Sequence, residues 1–181
     1  MNALSGILFF IAFLPYIWAI ISGNIQPSPV TWVIWSTVDT LALLAMRKEK
    51  AKTGQLTGAV IGAWVITTLA IIYGKLGIQL VDYIAIAGTL AGIGLWKIKG
   101  GVYAIVCAQA VVFIGSFPTF FNAYANPAQE DAVAWSIWTV SCLCALCTIK
   151  KWNLVNTLQP LTFTTIEITM IFLVVIRPLF C

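Results

Sequence analysis

Seven long stretches of the chain are almost free of charge, at about 4–22, 30–46, 55–73, 78–97, 101–124, 132–149 and 158–177. Each is close to the roughly 20 apolar residues that an α-helix needs to cross a hydrocarbon core about 30 Å thick. None alternates polar and apolar residues in the manner of a half-buried strand, so the pattern predicts seven helices joined by short turns. Turn chemistry marks the breaks: Gly23 with Pro27 and Pro29, the charged run Arg47 to Gly54, Gly74 to Gly77, Gly100 and Gly101, Asn126 and Pro127, and Lys150 to Asn153. The break at Gly74 to Gly77 is the weakest, and without it one helix of 43 residues would be far too long to span.

Composition removes the soluble alternatives. The 181 residues are 61% hydrophobic and 9% charged, whereas soluble domains carry roughly 25% charged residues. No loop is long enough for a soluble domain. No basic segment with a small-residue cleavage site precedes the first apolar run, so that run is expected to remain as a helix. Histidine is absent, which removes the commonest general base and the usual zinc ligand. No nucleophile and base pair stands out, and a membrane enzyme is not expected.

The net charge of +4 reads as orientation rather than nucleic-acid binding, because its sources are divided among short loops. Seven crossings put Arg47, Lys48, Lys50, Lys52, Lys97, Lys99, Lys150 and Lys151 on the side of the N-terminus, against Lys75 and Arg177 on the other. The positive-inside rule then predicts a cytoplasmic N-terminus and an external C-terminus, in a membrane such as the bacterial inner membrane.

The chain also matches itself. A displacement of 103 residues aligns Pro15 with Pro118, Gln26 with Gln129, Val30 with Val133, Trp32 with Trp135, Ile34 with Ile137, Trp35 with Trp138 and Lys48 with Lys151, without a gap. About a dozen identities fall over some 39 positions. Matching Trp and Pro spacings are hard to assign to shared membrane composition. The displacement carries helix 1 onto helix 5 and helix 2 onto helix 6, so both copies have the same orientation and helix 4 is an inverting linker. The expected architecture is all-α and 3+1+3: a first three-helix bundle over 1–76, a linker helix over 77–99 and a second bundle over 100–181. Parallel repeats of this kind place solute near mid-bilayer at their interface.

This layout resembles the seven-helix SWEET and PQ-loop transporters, and the Trp-x-x-Trp pairs resemble the motif of Pnu vitamin transporters. The resemblance covers nearly the whole chain in architecture, but in motif only Pro15, Trp32 and Trp35 with Pro118, Trp135 and Trp138. There is no Pro-Gln dipeptide; Gln26 and Pro27 stand in reversed order in a loop. The N-in orientation is opposite to that of plant SWEET proteins and closer to what the Pnu resemblance implies. No single branch supplies a substrate.

Trp32, Trp35, Ser36 and Asp39 share one face of helix 2, as do Trp135, Trp138, Thr139 and Cys142 on helix 6. Two aromatic walls across a pseudo-two-fold axis could sandwich a flat ring or the apolar face of a sugar. An interfacial Trp belt fits Trp32 and Trp135 equally well. Asp39 and Glu167 lie deep in spans with no Lys or Arg at similar depth. Such acids are candidates for function, or are protonated carboxyls bonded to a neighbour such as Thr164 or Gln109. Asp82 reads as a solvated helix terminus. Pro15 and Pro118 each remove a helical hydrogen bond, giving a structural kink or a gating hinge. Cys142 and Cys144 point about 200° apart on a helix and read as packing rather than as metal ligands. Gly88, Gly92 and Gly94 suit close helix contact.

The candidate substrate-binding set is therefore Trp32, Trp35, Asp39, Gln109, Trp135, Trp138 and Glu167, with Pro15 and Pro118 as hinges and no cofactor or metal. The leading expectation is a facilitative transporter of a small polar or ring-containing solute such as a sugar, nucleoside or vitamin. Two alternatives stand beside it: a non-transporting membrane subunit, and a proton-coupled transporter using Asp39 and Glu167. Lipid and a small solute are the expected partners, nucleic acid is not, and homo-oligomerisation is left open. A retinal photoreceptor is set aside because helix 7 has no Lys.

Overall fold

A computed structural model of the chain describes residues 2–74, 78–99 and 101–180. The turn expected over Lys75 to Gly77 and the break at Gly100 lie outside these residues, as do the side chains of Lys97 and Lys99 and the packing of Gly92. Every described element is helical: α1 (Asn2–Ile21), α2 (Pro29–Lys48), α3 (Gly54–Tyr73), α4 (Leu80–Lys99), α5 (Gly101–Gly115), α6 (Phe117–Ala125), α7 (Ala132–Cys147) and α8 (Leu154–Ile171). A π-helical stretch, Phe172–Ile176, and a short 3-10 turn, Arg177–Leu179, continue α8.

Five segments are long and apolar enough to cross a membrane: Ala3–Ile21, Pro29–Lys48, Gly54–Tyr73, Ile105–Ala125 and Leu154–Leu179. Two further apolar helices, Leu80–Ala91 and Ala132–Cys147, are shorter. The fifth predicted helix is divided into α5 and α6, because Pro118 lacks an N–H and the chain turns at Ser116. The Ser116 amide bonds to the Phe113 carbonyl, one residue short of the α-helical partner. Pro15 behaves differently, since α1 runs through it as one helix.

Large apolar side chains lie on the surface as well as in the interior. Along α1, Leu14 and Trp18 are exposed while Ser5, Phe9, Ala12, Phe13 and Tyr16 are buried, so one face of the helix fills the interior and the other carries large apolar side chains outward. Six helices form a closed ring in the order α1, α3, α2, α5, α8, α7, and α7 returns to α1. Outside this ring α4 packs on α5, α6 and α2.

Helices in lipid associate through close backbone approach and hydrogen bonds, and both occur. A Cβ on Gly58 would collide with the Gly6 carbonyl, and one on Gly6 with that of Gly54, so α1 and α3 cross nearly backbone to backbone. Thr67 Oγ1 of α3 donates to the Trp32 carbonyl at 2.9 Å and lies 3.0 Å from Ser36 Oγ of α2. Ser141 Oγ of α7 donates to the Ser5 carbonyl of α1 at 2.7 Å. Of the glycines expected to pack closely on helix 4, Gly88 faces Ile114, whereas Gly94 has nothing within 4 Å of an added Cβ. Asp82 is not solvated as expected: it is 6% exposed and Oδ2 accepts from the Gln79 amide at 2.7 Å, capping the start of α4.

Candidate functional site

The ring closes around an aromatic cluster. Trp32 and Trp35 meet edge to face at 5.1 Å, and Trp135 and Trp138 do the same at 5.0 Å. Phe13 and Tyr16 of α1 pack against Trp138 at 5.0 and 5.3 Å, and Phe9 links Trp138 to Phe163 of α8. Trp32 is 3% and Trp135 1% exposed, so both are interior groups rather than an interfacial belt. Among the described side chains, the exposed tryptophans are Trp18, Trp64 and Trp152.

Two indole hydrogen bonds cross the ring. Trp35 Nε1 donates to the Val112 carbonyl of α5 at 3.0 Å, and Trp138 Nε1 donates to the Phe9 carbonyl of α1 at 3.0 Å. The donors are 103 residues apart, and so are the acceptors. At Val112 the break before Pro118 supplies the acceptor: the Ser116 amide has turned to Phe113, and the carbonyl takes Trp35 and the Ser116 hydroxyl instead. These two rings are crossbeams between helices, each pinned by its indole N–H.

Between them lies a cavity of about 30 Å³, walled by Trp32, Trp35, Trp138, Asp39, Phe163 and Glu167 among others. That is space for one or two waters. Its polar inventory is sparse and unspent. Among the described residues, Asp39 Oδ1 and Glu167 Oε2 are buried without a hydrogen-bond partner, and Trp32 Nε1, beside the Tyr16 hydroxyl, has none of good geometry. Each such group costs about 1–3 kcal/mol unless something pairs with it. The residue 103 positions before Glu130, which serves Trp135, is Pro27, so Trp32 has no matching carboxylate.

The remaining predicted residues divide. Gln109 is 1% exposed with both amide atoms unpartnered, but it does not wall the cavity. Thr164 does not serve Glu167; its hydroxyl donates to the Pro160 carbonyl at 2.7 Å. Ser36 is spent on Thr67, and Thr139 on the Trp135 carbonyl. Pro118 sits at the start of α6 beside the break between the helices, and Pro15 within α1 one residue before the buried Tyr16.

Two buried polar clusters, both absent from the predicted set, lie toward opposite ends of the helix ring. At the end opposite the lysine-rich loops, Glu130 Oε2 accepts from Tyr16 Oη of α1 and from Trp135 Nε1 of α7, each at 2.9 Å. Glu130 lies in the connection between α6 and α7, 7% exposed. Burial pushes its carboxyl from an ordinary 4.5 up to about 7, against the two hydrogen bonds, which favour the ionised form. At the lysine-rich end, Gln159 Nε2 of α8 donates to Gln55 Oε1 of α3 at 3.2 Å, and Gln55 Nε2 reaches Cys142 Sγ of α7 at 3.1 Å. The two glutamines are 3% and 2% exposed and form the floor of an outer vestibule of about 240 Å³. A glutamine at the head of each of two spans was visible in the sequence, but such a position also suits an interfacial residue.

No protein-family model, curated protein or solved structure matches the chain.

Proposed function

We propose that the chain is a facilitative membrane transporter of a small, ring-containing polar solute, held here in an occluded conformation. The observation that carries this reading is the central cavity, whose wall includes one indole N–H without a well-aligned partner and two unpaired carboxyl oxygens, with buried polar clusters toward either end of the ring. Buried polar atoms are ordinarily paired. A donor and two acceptors set among aromatic faces match a solute with hydroxyl or amide groups on a flat or sugar-like ring. In the proposed topology all seven apolar helical segments cross the bilayer, with α5 and α6 together as one span and the lysine-rich end cytoplasmic.

Support for a duplicated 3+1+3 plan comes from the paired crossbeams, related by the same 103-residue displacement at donor and acceptor, and from the order of the ring. In the first bundle α3 lies between α1 and α2; in the second α8 lies between α5 and α7. The bundles meet through α1 with α7 and through α2 with α5, the exchange that a two-fold axis along the membrane normal would give. A cavity of one or two waters is too small for any sugar or nucleobase, so the solute enters only when one latch opens and the bundles rock about the crossbeams.

Counterflow in proteoliposomes against panels of sugars, nucleosides and vitamins tests the reading, with Trp32→Phe and Asp39→Leu as the paired variants. Trp32→Phe keeps the ring and removes the N–H, and should lower affinity about fivefold, the worth of about one net hydrogen bond. Asp39→Leu should abolish exchange. A panel that includes the true solute yet shows equal exchange in wild type and both variants would overturn the site assignment. Folded protein inert to every solute class would favour the non-transporting subunit.

A further inference from the structure

The vestibule above the glutamine floor has a chemistry of its own. Its rim carries Lys50, Lys52, Lys150 and Lys151, its base is the buried Gln55–Gln159 pair, and none of its lining residues is acidic. Lysines at a cytoplasmic membrane face need no special explanation, but three features here go further. The four ammonium groups come from two separate connections and share one concave space of about 240 Å³. Lys52 Nζ is tied to the Thr148 carbonyl at the end of α7, 3.0 Å away, which fixes its side chain across the rim.

Lys50 is the third feature. It closes α2 in the left-handed region, with φ of 53°, and is the one non-glycine residue with positive φ among those described. Its amide bonds to the Arg47 carbonyl, and the following amide to that of Met46. Glycine is the ordinary choice at such a helix end, and a lysine there costs on the order of 1 kcal/mol in backbone strain. Strain retained at a position that lines a cavity points to use of the side chain. The N-terminal ends of α3 and α8 also open at this end, adding positive potential without adding a charge.

The geometry points to a binding site for a phosphate-bearing anion in this vestibule, held by the four lysine ammonium groups above the two buried amides. Its source is either a free phosphate or phosphate monoester, or the headgroup of an anionic lipid at the rim. The site is separate from the central cavity, whose carboxyls suit a neutral solute, and it does not depend on the transport reading.

The test uses the full chain in nanodiscs of phosphatidylcholine, titrated with inorganic phosphate against chloride at matched ionic strength, with the unfolding midpoint as readout. A saturable rise with phosphate alone is expected. Lys50→Gly suits the backbone at that position, so its fold should be kept, and Lys150→Gln is conservative on an exposed side chain. Each should weaken phosphate roughly fivefold, and the double variant more than tenfold. Nanodiscs with phosphatidylglycerol separate the sources: stabilisation that diminishes the phosphate response assigns the site to a headgroup, whereas an unchanged phosphate response assigns it to a soluble anion. Equal responses to phosphate and chloride with no effect of the anionic lipid, or an unchanged affinity in the double variant, would overturn the proposal.

Discussion

Acid should hold the Tyr16–Glu130–Trp135 latch shut, and Glu130→Gln should remove that response. In the closed arrangement the Glu130 carboxyl is buried and titrates near 7 instead of 4.5. Opening the latch hydrates it and returns it toward its ordinary value. The closed form therefore binds the proton more tightly and is favoured as pH falls. As pH rises from about 4.5 to 7, the closed form loses stability relative to any form in which Glu130 is hydrated, and above 7 the loss is complete. The gap corresponds to roughly 3 kcal/mol, or a few hundredfold in the ratio of closed to open forms. Asp131, the neighbouring charge, adds a smaller upward push of its own.

Global unfolding hydrates Glu130 as well, so the same sign applies to the unfolding midpoint between pH 5 and 8. Glu130→Gln keeps an oxygen to accept from Tyr16 and Trp135 and has no charge to bury. Asp39 and Glu167 are common to wild type and variant and cancel in the difference. We expect wild type to lose stability across this range relative to Glu130→Gln, with amide exchange over 126–135 accelerating in parallel. Superimposable pH profiles, or a wild type that gains stability with pH relative to the variant, would refute the latch as a proton-linked element.

At the other end, Gln159→Leu should loosen the floor and, in a background where the other cysteines are serine, speed maleimide labelling of the buried Cys142 by about fivefold, the worth of about one net hydrogen bond; unchanged labelling would show that the glutamine pair closes nothing. Gly58→Val should lower the unfolding midpoint by an amount worth roughly 1–3 kcal/mol, because its side chain meets the Gly6 backbone, while Gly94→Ala serves as the control in open space and should change little. Trp35→Phe and Trp138→Phe should each cost about 1 kcal/mol and match each other closely in denaturation; a large inequality would break the equivalence of the two crossbeams.

What the sequence could reveal follows from what lipid allows. Hydrocarbon admits only a few backbone solutions, so the apolar runs already mark the helices, and each of the seven expected spans overlaps a helix. The Trp spacing likewise pointed to the two sites that form the crossbeams. Depth was harder to read: Trp32 and Trp135 sit near helix ends, and only packing against Tyr16 and Trp35 places them inside. Glu130 was missed because its local context, after Pro127 and beside Asp131, is that of a solvated turn. Its partner Tyr16 lies 114 residues away, and nothing local announces the pairing. Asp82 misled for the same reason, a charged residue near a helix end being exposed more often than buried.

The matched and unmatched positions divide the work of the molecule. Groups that repeat at 103 residues, the edge-to-face tryptophan pairs and their bonds to Phe9 and Val112, are those that join one half to the other. The acids do not repeat: Asp39 stands against Cys142, and Glu130 against Pro27. In the proposed transport cycle a symmetric frame would give two arrangements of similar energy, which rocking between them requires. Polar groups placed on one half alone give those arrangements different affinities for whatever binds. On this reading, converting Cys142 to Asp would not improve the site. It would bury a further acid beside Gln55, where the thiol now accepts a hydrogen bond, and would raise the cost of closing without adding a donor for the solute.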